Sequence, residues 1–465
     1  MSQPRRMRLN GLRQNTVGHT AMGLWRHPLS QAHLYRTLQH WTDTARTLER
    51  GCFDALFIAD ALGPLDVYQG RVDAALRDGI QSPCGDPLLL VSAMAAATRH
   101  LGFAITVSTT YEQPYALARK FSTLDHLSEG RVGWNIVTSA LDSAARNLGL
   151  DAPLSHGQRY ERAEEFMQVV YGLWEGSWAD DAVVMDRASG VFVDPARVHP
   201  VAHRGHYFKV EDIALCEPSP QRTPVLFQAG SSGTGRAFAA RHAEGVFLST
   251  YDPLITRGLV DDLRAQAQAG GRPGDALKIF NIVTVICAAT DAEAQARYSD
   301  LQGYASTEGS LARYSALLGI DFAALDLDQP LAYAETPGIR GLLEVFTRLD
   351  PTRTWTPRAI AEFVAIGGGG PVIVGSPTTV ADELERWMSV ADLDGFNIAD
   401  PLPGVTLVDF VAHVVPELQR RGRVWRAYEG ATLREYFAGP GNARVAQTHP
   451  GADHRRRLHA LTGRE

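Results

Sequence analysis

Cysteine is scarce in this chain: Cys52, Cys84, Cys216 and Cys287 are its four among 465 residues, and none forms a CxxC pair. That scarcity speaks against zinc and redox motifs built on paired thiols and fits a reducing cytoplasm. Long apolar runs are also missing. No uninterrupted stretch is long enough to span a bilayer, so no membrane association is expected. The arginines near the N-terminus are not followed by the apolar segment of a Sec signal peptide. Positive charge is not in excess. The formal net charge is -7, which argues against a general nucleic-acid binder. HExxH and the P-loop pattern do not occur, and no His/Cys/Asp/Glu motif points to a metal. In "AGSSGTG" (229–235) the glycines stand in the wrong order for a dinucleotide-binding GxGxxG.

What the chain does have is alternation. Short, near-continuously apolar runs lie at 53–60, 101–109, 131–139, 224–230, 245–250, 277–289 and 395–400. An eighth lies in or around "LNGLRQNTVGHT" near the N-terminus. Strands buried on both faces read this way, without a polar residue at every second position. Helical patterns separate them. Leu34, Leu38, Trp41, Ala45 and Leu48 recur at helical spacing before Gly51, a C-terminal stop. Segments 87–99, 114–128, 158–175 and 232–243 look similar. About eight strand–helix units predict an α/β fold, a (β/α)8 TIM barrel with insertions, rather than an open sheet.

The expected organisation is one barrel domain over 1–440, with insertions at about 177–222 and 291–376. The first insertion is turn-rich and reads as a strand-bearing excursion. The second contains two helical patterns and then "IGGGGPVIVGSP" (366–377). A strand follows the glycines there, so they read as a flexible turn rather than a phosphate loop. Ser376 and Pro377 read as the N-cap and first residue of the next helix. Residues 441–465 are expected to form a basic, solvated and partly disordered tail.

In a barrel, catalysis sits where the strands end at their C-terminal side. That rule selects Asp60, Thr106, Ser108, Thr109, Asn135, Thr138 and Ser139, with Ser231 and Ser232 after the apolar run at 224–230. The set is rich in hydroxyls and amides and suits a polar, phosphorylated organic cofactor better than a metal. A strand, a Ser/Gly turn and a helix also offer free N–H groups and a positive dipole end to a phosphate. Structural readings stand beside these. Asp60 can cap a turn, the Thr and Ser residues fit a pleated strand, and Ser231 and Ser232 can be ordinary N-caps. A buried Asn135 needs partners. His156 falls before the first turn of the "RYERAEEF" helix, where it can face a strand-end pocket or serve packing alone. Tyr160 and Glu164 share a face of that helix, and Arg159 sits on an adjoining one. Trp25, His27, Tyr68, Tyr111 and Trp134 are candidate linings of a substrate pocket.

The stretches "GLWRHP" (23–28), "ERGCFDALFIAD" (49–60), "STTYEQPYALARKFSTLDHLSEGRVGWNIVTS" (108–139), "ARNLGL" (145–150), "RYERAEEF" (159–166), "FQAGSSGTGRAFAARHAEGVF" (227–247) and "VADELERWMSVADLDGFNI" (380–398) carry a resemblance. The chain resembles the bacterial-luciferase-like flavin-dependent monooxygenases. Within them it is similar to the branch of nitrilotriacetate monooxygenase component A, long-chain alkane monooxygenase and dibenzothiophene-sulfone monooxygenase. The resemblance implies reduced FMN (FMNH2) as co-substrate, activation of O2 as a flavin C4a-(hydro)peroxide, and oxygenation of a small organic substrate. It implies a separate NAD(P)H:flavin reductase as partner, and a homo-oligomer, dimer or tetramer, is expected. By resemblance Asp60 and Thr106 contact the flavin, His156 and Tyr160 border it, and Ser231 helps hold the phosphate. Strand-end geometry adds Ser108, Asn135, Ser139 and Ser232 as cofactor-binding residues. His156 is the candidate catalytic residue, able to donate or accept a proton, and 291–345 is the candidate cover over the mouth. Two other readings are a deazaflavin (F420)-dependent dehydrogenase and a non-catalytic flavin-binding protein on the same scaffold.

Overall fold

Each of the eight apolar runs is a strand, because each has a helix or the barrel interior on both faces to bury it. In the computed structural model, which describes residues 5–230, 232–333, 336, 338–350 and 352–462, they are β1 (Arg8–Gln14), β2 (Ala55–Ala59), β3 (Gly102–Ser108), β4 (Val132–Val137), β5 (Val225–Gln228), β6 (Gly245–Leu248), β7 (Lys278–Cys287) and β8 (Gly395–Ala399). All pair in parallel, in the order β6-β5-β4-β3-β2-β1-β8-β7. Pairing of β6 with β7, Gly245 opposite Lys278, closes the ring into a (β/α)8 barrel.

Two cores follow from the pleat. Leu9, Ile58, Ile105 and Trp134 point outward and pack under the helices. Leu12, Phe57, Ala104, Phe227, Phe247 and Phe280 point inward and fill the lower barrel. Leu433, Tyr436 and Phe437, from the short helix Leu433–Ala438, complete that interior cluster. Gly133 makes room for it: a Cβ there would sit 2.6 Å from the Phe227 ring.

The covering helices are α1 (Leu38–Arg50), α2 (Leu88–Ala97), α3 (Pro114–Leu127), α4 (His156–Glu175), α5 (Gly233–His242) and α6 (Pro253–Ala269). Then come α7 (Asp291–Gln302), α8 (Thr307–Leu318), α9 (Arg340–Thr347), α10 (Pro357–Val364) and α11 (Pro377–Ala391). A helical stretch over 406–420, interrupted by a π-turn, follows β8. Ser376 caps α11 with Pro377 at its first position, as the sequence indicates. Segment 177–222 carries two small antiparallel hairpins, Val183–Asp186 with Val191–Val193 and His203–Arg204 with Lys209–Val210. It links a helix to the next strand, so it leaves at the N-terminal side of the barrel. Segment 291–376 links β7 to its helix and so lies at the mouth. It holds α7 to α10, more than the two helical patterns the sequence suggests; α9 and α10 are only eight residues each, and with α8 they pack around Tyr314, Phe346, Trp355 and Ile360. Its last strand, Val372–Gly375, pairs with the end of β7, Cys287 opposite Gly375.

The C-terminal segment differs from the solvated tail expected of a basic sequence. Residues 450–462 form a helix, α12, that packs on α4. Its Arg455 reaches the fully buried Glu175 at the end of α4, Nη1 to Oε2 at 3.1 Å. The other Glu175 oxygen accepts from the Thr223 hydroxyl at 2.6 Å. A buried carboxylate needs a partner, so the arginine is a structural cation. Arg434 does the same for Glu244, at 2.7 Å and 2.9 Å, while donating to the carbonyls of Thr223 and Pro224.

Arg455→Ala is therefore expected to destabilise the protein by about 3 kcal/mol, the scale for stranding one member of a buried pair. Thermal melts of the variant and of a chain ending at residue 447 check this; unchanged melting in both would return the segment to a solvated tail.

Candidate active site

The barrel interior turns polar toward the strand C-termini. Asn10 of β1 donates to Asn397 of β8 at 3.0 Å, and Asn281 of β7 donates to the Thr250 carbonyl at 2.9 Å. Asn135 Nδ2 donates to Thr106 Oγ1 at 2.9 Å, across a register that places the two residues side by side on β4 and β3. Among the described residues, the Asn135 Oδ1 is buried without a hydrogen-bond partner. Above this layer two adjoining cavities open, sharing Asp60, Ala61, Leu62 and Gln81.

The larger lining belongs to the first cavity. One wall is the start of α4: Ser155 and Gln158 form a capping box, and His156, Arg159 and Tyr160 all line the space. Positions i, i+3 and i+4 share a helix face. His156 is thus the first residue of the helix rather than a residue before it. The facing wall is the β5–α5 turn, with Gln228, Ala229, Gly230 and Ser232. Ser232 caps α5, its Oγ accepting from Gly235 N at 3.1 Å, and lies 3.5 Å from His156 Nε2. Tyr160 lines the cavity with Ser232, Gln228 and Thr138, and burial pushes its phenol up from its ordinary range. Among the described residues, Gln228 Oε1 is buried without a hydrogen-bond partner. A Cβ at Gly233 would meet nothing within 4 Å, so the first turn of α5 is approachable. Ser231 lies outside the described residues.

The β4–α4 segment contributes Thr138 and Ser139 to the same cavity. Ser139 has φ of 45°, a left-handed conformation that costs a non-glycine residue energy. It is held by Arg159, which donates to its carbonyl at 2.6 Å, and by its own hydroxyl, which donates to Ser108 at 2.9 Å. The upper rim is apolar. Leu141 and Ala144 face Ala316, Leu317 and Ile339 of the insertion.

The second cavity holds Thr106, Ser108, Cys84, Asp86 and Glu112. The Asp60 carboxyl lies between the two cavities, and burial, the largest influence, raises its pKa to about 6. Cys84 Sγ donates to it at 3.8 Å. Burial and then Asp60 push that thiol up to about 12, so it is no nucleophile near neutrality.

Asp60, Thr106, Ser108, Asn135, Ser139, His156, Tyr160 and Ser232 thus gather within the two cavities and the polar layer beneath them. Arg159 and Gln228 join them. Arg159 is legible from its spacing to His156; Gln228 ends an apolar run and carries no such signal. The aromatic candidates do not fit. Trp134 is fully buried beneath the helices, against Phe121, Phe166 and Trp174, because odd and even residues of β4 face opposite sides. Trp25 is 45% exposed, His27 pairs with Asp300 at 2.9 Å, and Tyr68 packs in the insertion's core. Tyr111, like these, is not part of either cavity lining. Among the described residues, no group of three or more His, Cys, Asp or Glu is placed to hold a metal.

A carboxyl whose pKa is raised on folding binds its proton more tightly in the folded state. Its stabilising contribution is complete below the unfolded value near 3.8 and is lost as pH rises to about 6. Asp60→Asn is expected to raise the melting temperature over the parent near neutral pH and to give little gain near pH 4. Equal gains at both pH values would assign the effect to something other than ionisation.

Comparison with known proteins matches this architecture. The family model described as "Luciferase-like monooxygenase" matches residues 17–392. The dimethyl-sulfide monooxygenase of Hyphomicrobium sulfonivorans is 50% identical over 97% of this chain and 94% of its own length. The long-chain alkane monooxygenase of Geobacillus thermodenitrificans strain NG80-2 is 44% identical over 97% of this chain and 98% of its own. The crystal structure of a riboflavin lyase with modified FMN and riboflavin superposes with a TM-score of 0.92 at 35% identity, covering 97% of this chain and 100% of that one. With its barrel, its strand-end site and these relatives together, the chain belongs to the luciferase-like monooxygenase family and is a flavin-dependent monooxygenase.

Proposed function

We propose that the enzyme is the oxygenating component of a two-component system, using FMNH2 delivered by a separate NAD(P)H:flavin reductase to oxygenate a small organic substrate. The observation that carries this reading is the first cavity, where the His156–Arg159–Tyr160 face of α4 meets the N-terminus of α5. The residues present fit FMN. The approachable first turn of α5, the Ser232 hydroxyl and the Arg159 guanidinium suit a phosphate. The unpartnered Gln228 Oε1 and Asn135 Oδ1 suit the hydroxyls of a ribityl chain. When bound, reduced flavin supplies the electrons with which dioxygen is activated.

The remaining work falls to the protein. Ile136, Val137, Leu141, Ala144, Leu317 and Ile339 make a wall that excludes water, which protects reactive oxygen chemistry from side reactions. The insertion covers this wall from above. The His156 ring lines the cavity with its Nε2 3.5 Å from the Ser232 hydroxyl, which supports a role in holding or passing a proton. Burial raises the Asp60 carboxyl to about 6 where the two cavities meet, which supports a proton-exchanging role for it near neutrality.

With FMN present, the purified chain is expected to bind FMNH2 and not to oxidise NADH at an enzymatic rate until a generic flavin reductase is added. Robust NADH oxidation by the chain alone would overturn the two-component reading. Oxygen uptake that depends on both FMNH2 and an organic substrate separates it from hydride transfer by a deazaflavin enzyme, and turnover separates it from a non-catalytic flavin binder.

His156→Ala is expected to leave FMN binding and folding intact, lower product formation by about 100-fold, and raise the hydrogen peroxide released per product. A lowered melting temperature with a normal ratio of product to peroxide would make His156 a packing residue.

A further inference from the structure

Helices α4 and α5 meet along one seam, and spacing in the sequence makes it. Tyr160 and Glu164 stand four residues apart on α4, as do Phe238 and His242 on α5, so each pair shares a helix face. At the cavity end, Ser232 Oγ lies 3.5 Å from His156 Nε2. One turn on, Gly235 lets the helices close up: a Cβ there would sit 2.9 Å from the Tyr160 hydroxyl. The rings of Tyr160 and Phe238 then meet edge to face at 5.6 Å. Apolar contact is non-directional, so this part of the seam holds the helices together without fixing how far one has slid along the other.

A directional contact lies at the far end. His242, the last residue of α5, is fully buried. Its Nε2 donates to Glu164 Oε2 at 3.0 Å, because a carboxylate can only accept. Burial, outweighing Glu164, lowers the His242 pKa, so the ring is neutral and Nδ1 accepts. The Tyr171 hydroxyl donates to it at 3.1 Å. Glu164 and Tyr171 lie two turns apart on α4. One ring is thus bonded to two levels of the same helix, and α5 can neither advance nor retreat without breaking one of the bonds. The end of α5 is itself anchored. His449 Nε2 donates to the His242 carbonyl at 2.9 Å, while its Nδ1 accepts from Gly451 N at 3.1 Å. Arg272 donates to the carbonyls of Ala240 and Ala243 at 2.8 and 2.7 Å.

We propose that His242 is a positioning residue for the flavin. By locking the register of α5 on α4 it fixes the gap between the α5 N-terminus and the His156–Arg159–Tyr160 face, and so the fit of that gap to a phosphate. The proposal rests on the reading of the first cavity as the FMN site. Ser232 caps the start of α5 and His242 ends it, so an axial shift at one end is a shift at the other. Donors around an anion lose their worth with displacements far smaller than a helical turn, which is why a site needs support from residues that never touch the ligand.

The test is calorimetric titration of the full-length protein with FMN and with riboflavin, which lacks the phosphate. The wild type is expected to bind FMN at least about tenfold more tightly than riboflavin, the worth of a hydrogen bond to a charged group. His242→Leu and Glu164→Ala should each lower FMN affinity by about tenfold and leave riboflavin affinity unchanged. Glu164→Gln, whose amide oxygen still accepts from Nε2, should keep most of the FMN affinity. Tyr171→Phe, which removes one hydroxyl, should weaken FMN binding alone, and it keeps the proposal testable should His242→Leu fail to fold. Unchanged FMN affinity in folded Glu164→Ala and Tyr171→Phe overturns the proposal. Equal losses for both flavins, with lower melting temperatures, would make His242 a packing residue. Failure of the flavin reading is distinct: the wild type itself would then show no preference for FMN over riboflavin, and both readings would fall.

Discussion

The structure depends on one strand, β7, being longer than its neighbours need. Its first residues pair with β6, Gly245 to Leu248 opposite Lys278 to Asn281, and close the barrel. Its middle pairs with β8. Its last residues, Thr284 to Cys287, extend to receive the strand Val372–Gly375. A parallel barrel sends every strand end to one side, so the strand that completes the ring also supports the cover above it.

Within that ring the side chains change character with height. Phenylalanines fill the lower interior beside the short helix at Leu433–Ala438, and asparagine and threonine pairs occupy the level below the mouth. Buried amides are tolerable because they satisfy one another across neighbouring strands. Among the described residues, Asn135 Oδ1 in this level and Gln228 Oε1 in the wall of the first cavity are buried without hydrogen-bond partners.

Much of this was readable in the sequence, for definite reasons. Strands buried on both faces leave continuous apolar runs, and Ser376-Pro377 and Gly51 mark helix ends by local chemistry that needs no tertiary context. The strand-end rule gathered Asp60, Thr106, Asn135 and Ser139 without knowledge of their partners. What could not be read depends on contacts across space. Trp134 was a pocket candidate only until the pleat of β4 assigned it to the outer face. The basic C-terminal segment became a packed helix because Glu175, remote in sequence, needed a cation.

The pairing of Cys287 with Gly375 has a further consequence. The excursion between them leaves the barrel and returns to it at neighbouring points of one sheet, so its two ends are already joined by backbone hydrogen bonds. Its core, around Tyr314, Phe346 and Trp355, also takes in Met22, Leu65, Tyr68 and Ile80 from the loops after β1 and β2. The excursion is therefore stitched to the barrel twice, by the sheet at its two ends and by the loops after β1 and β2 along its base, so a displacement of its helices is passed directly to those loops.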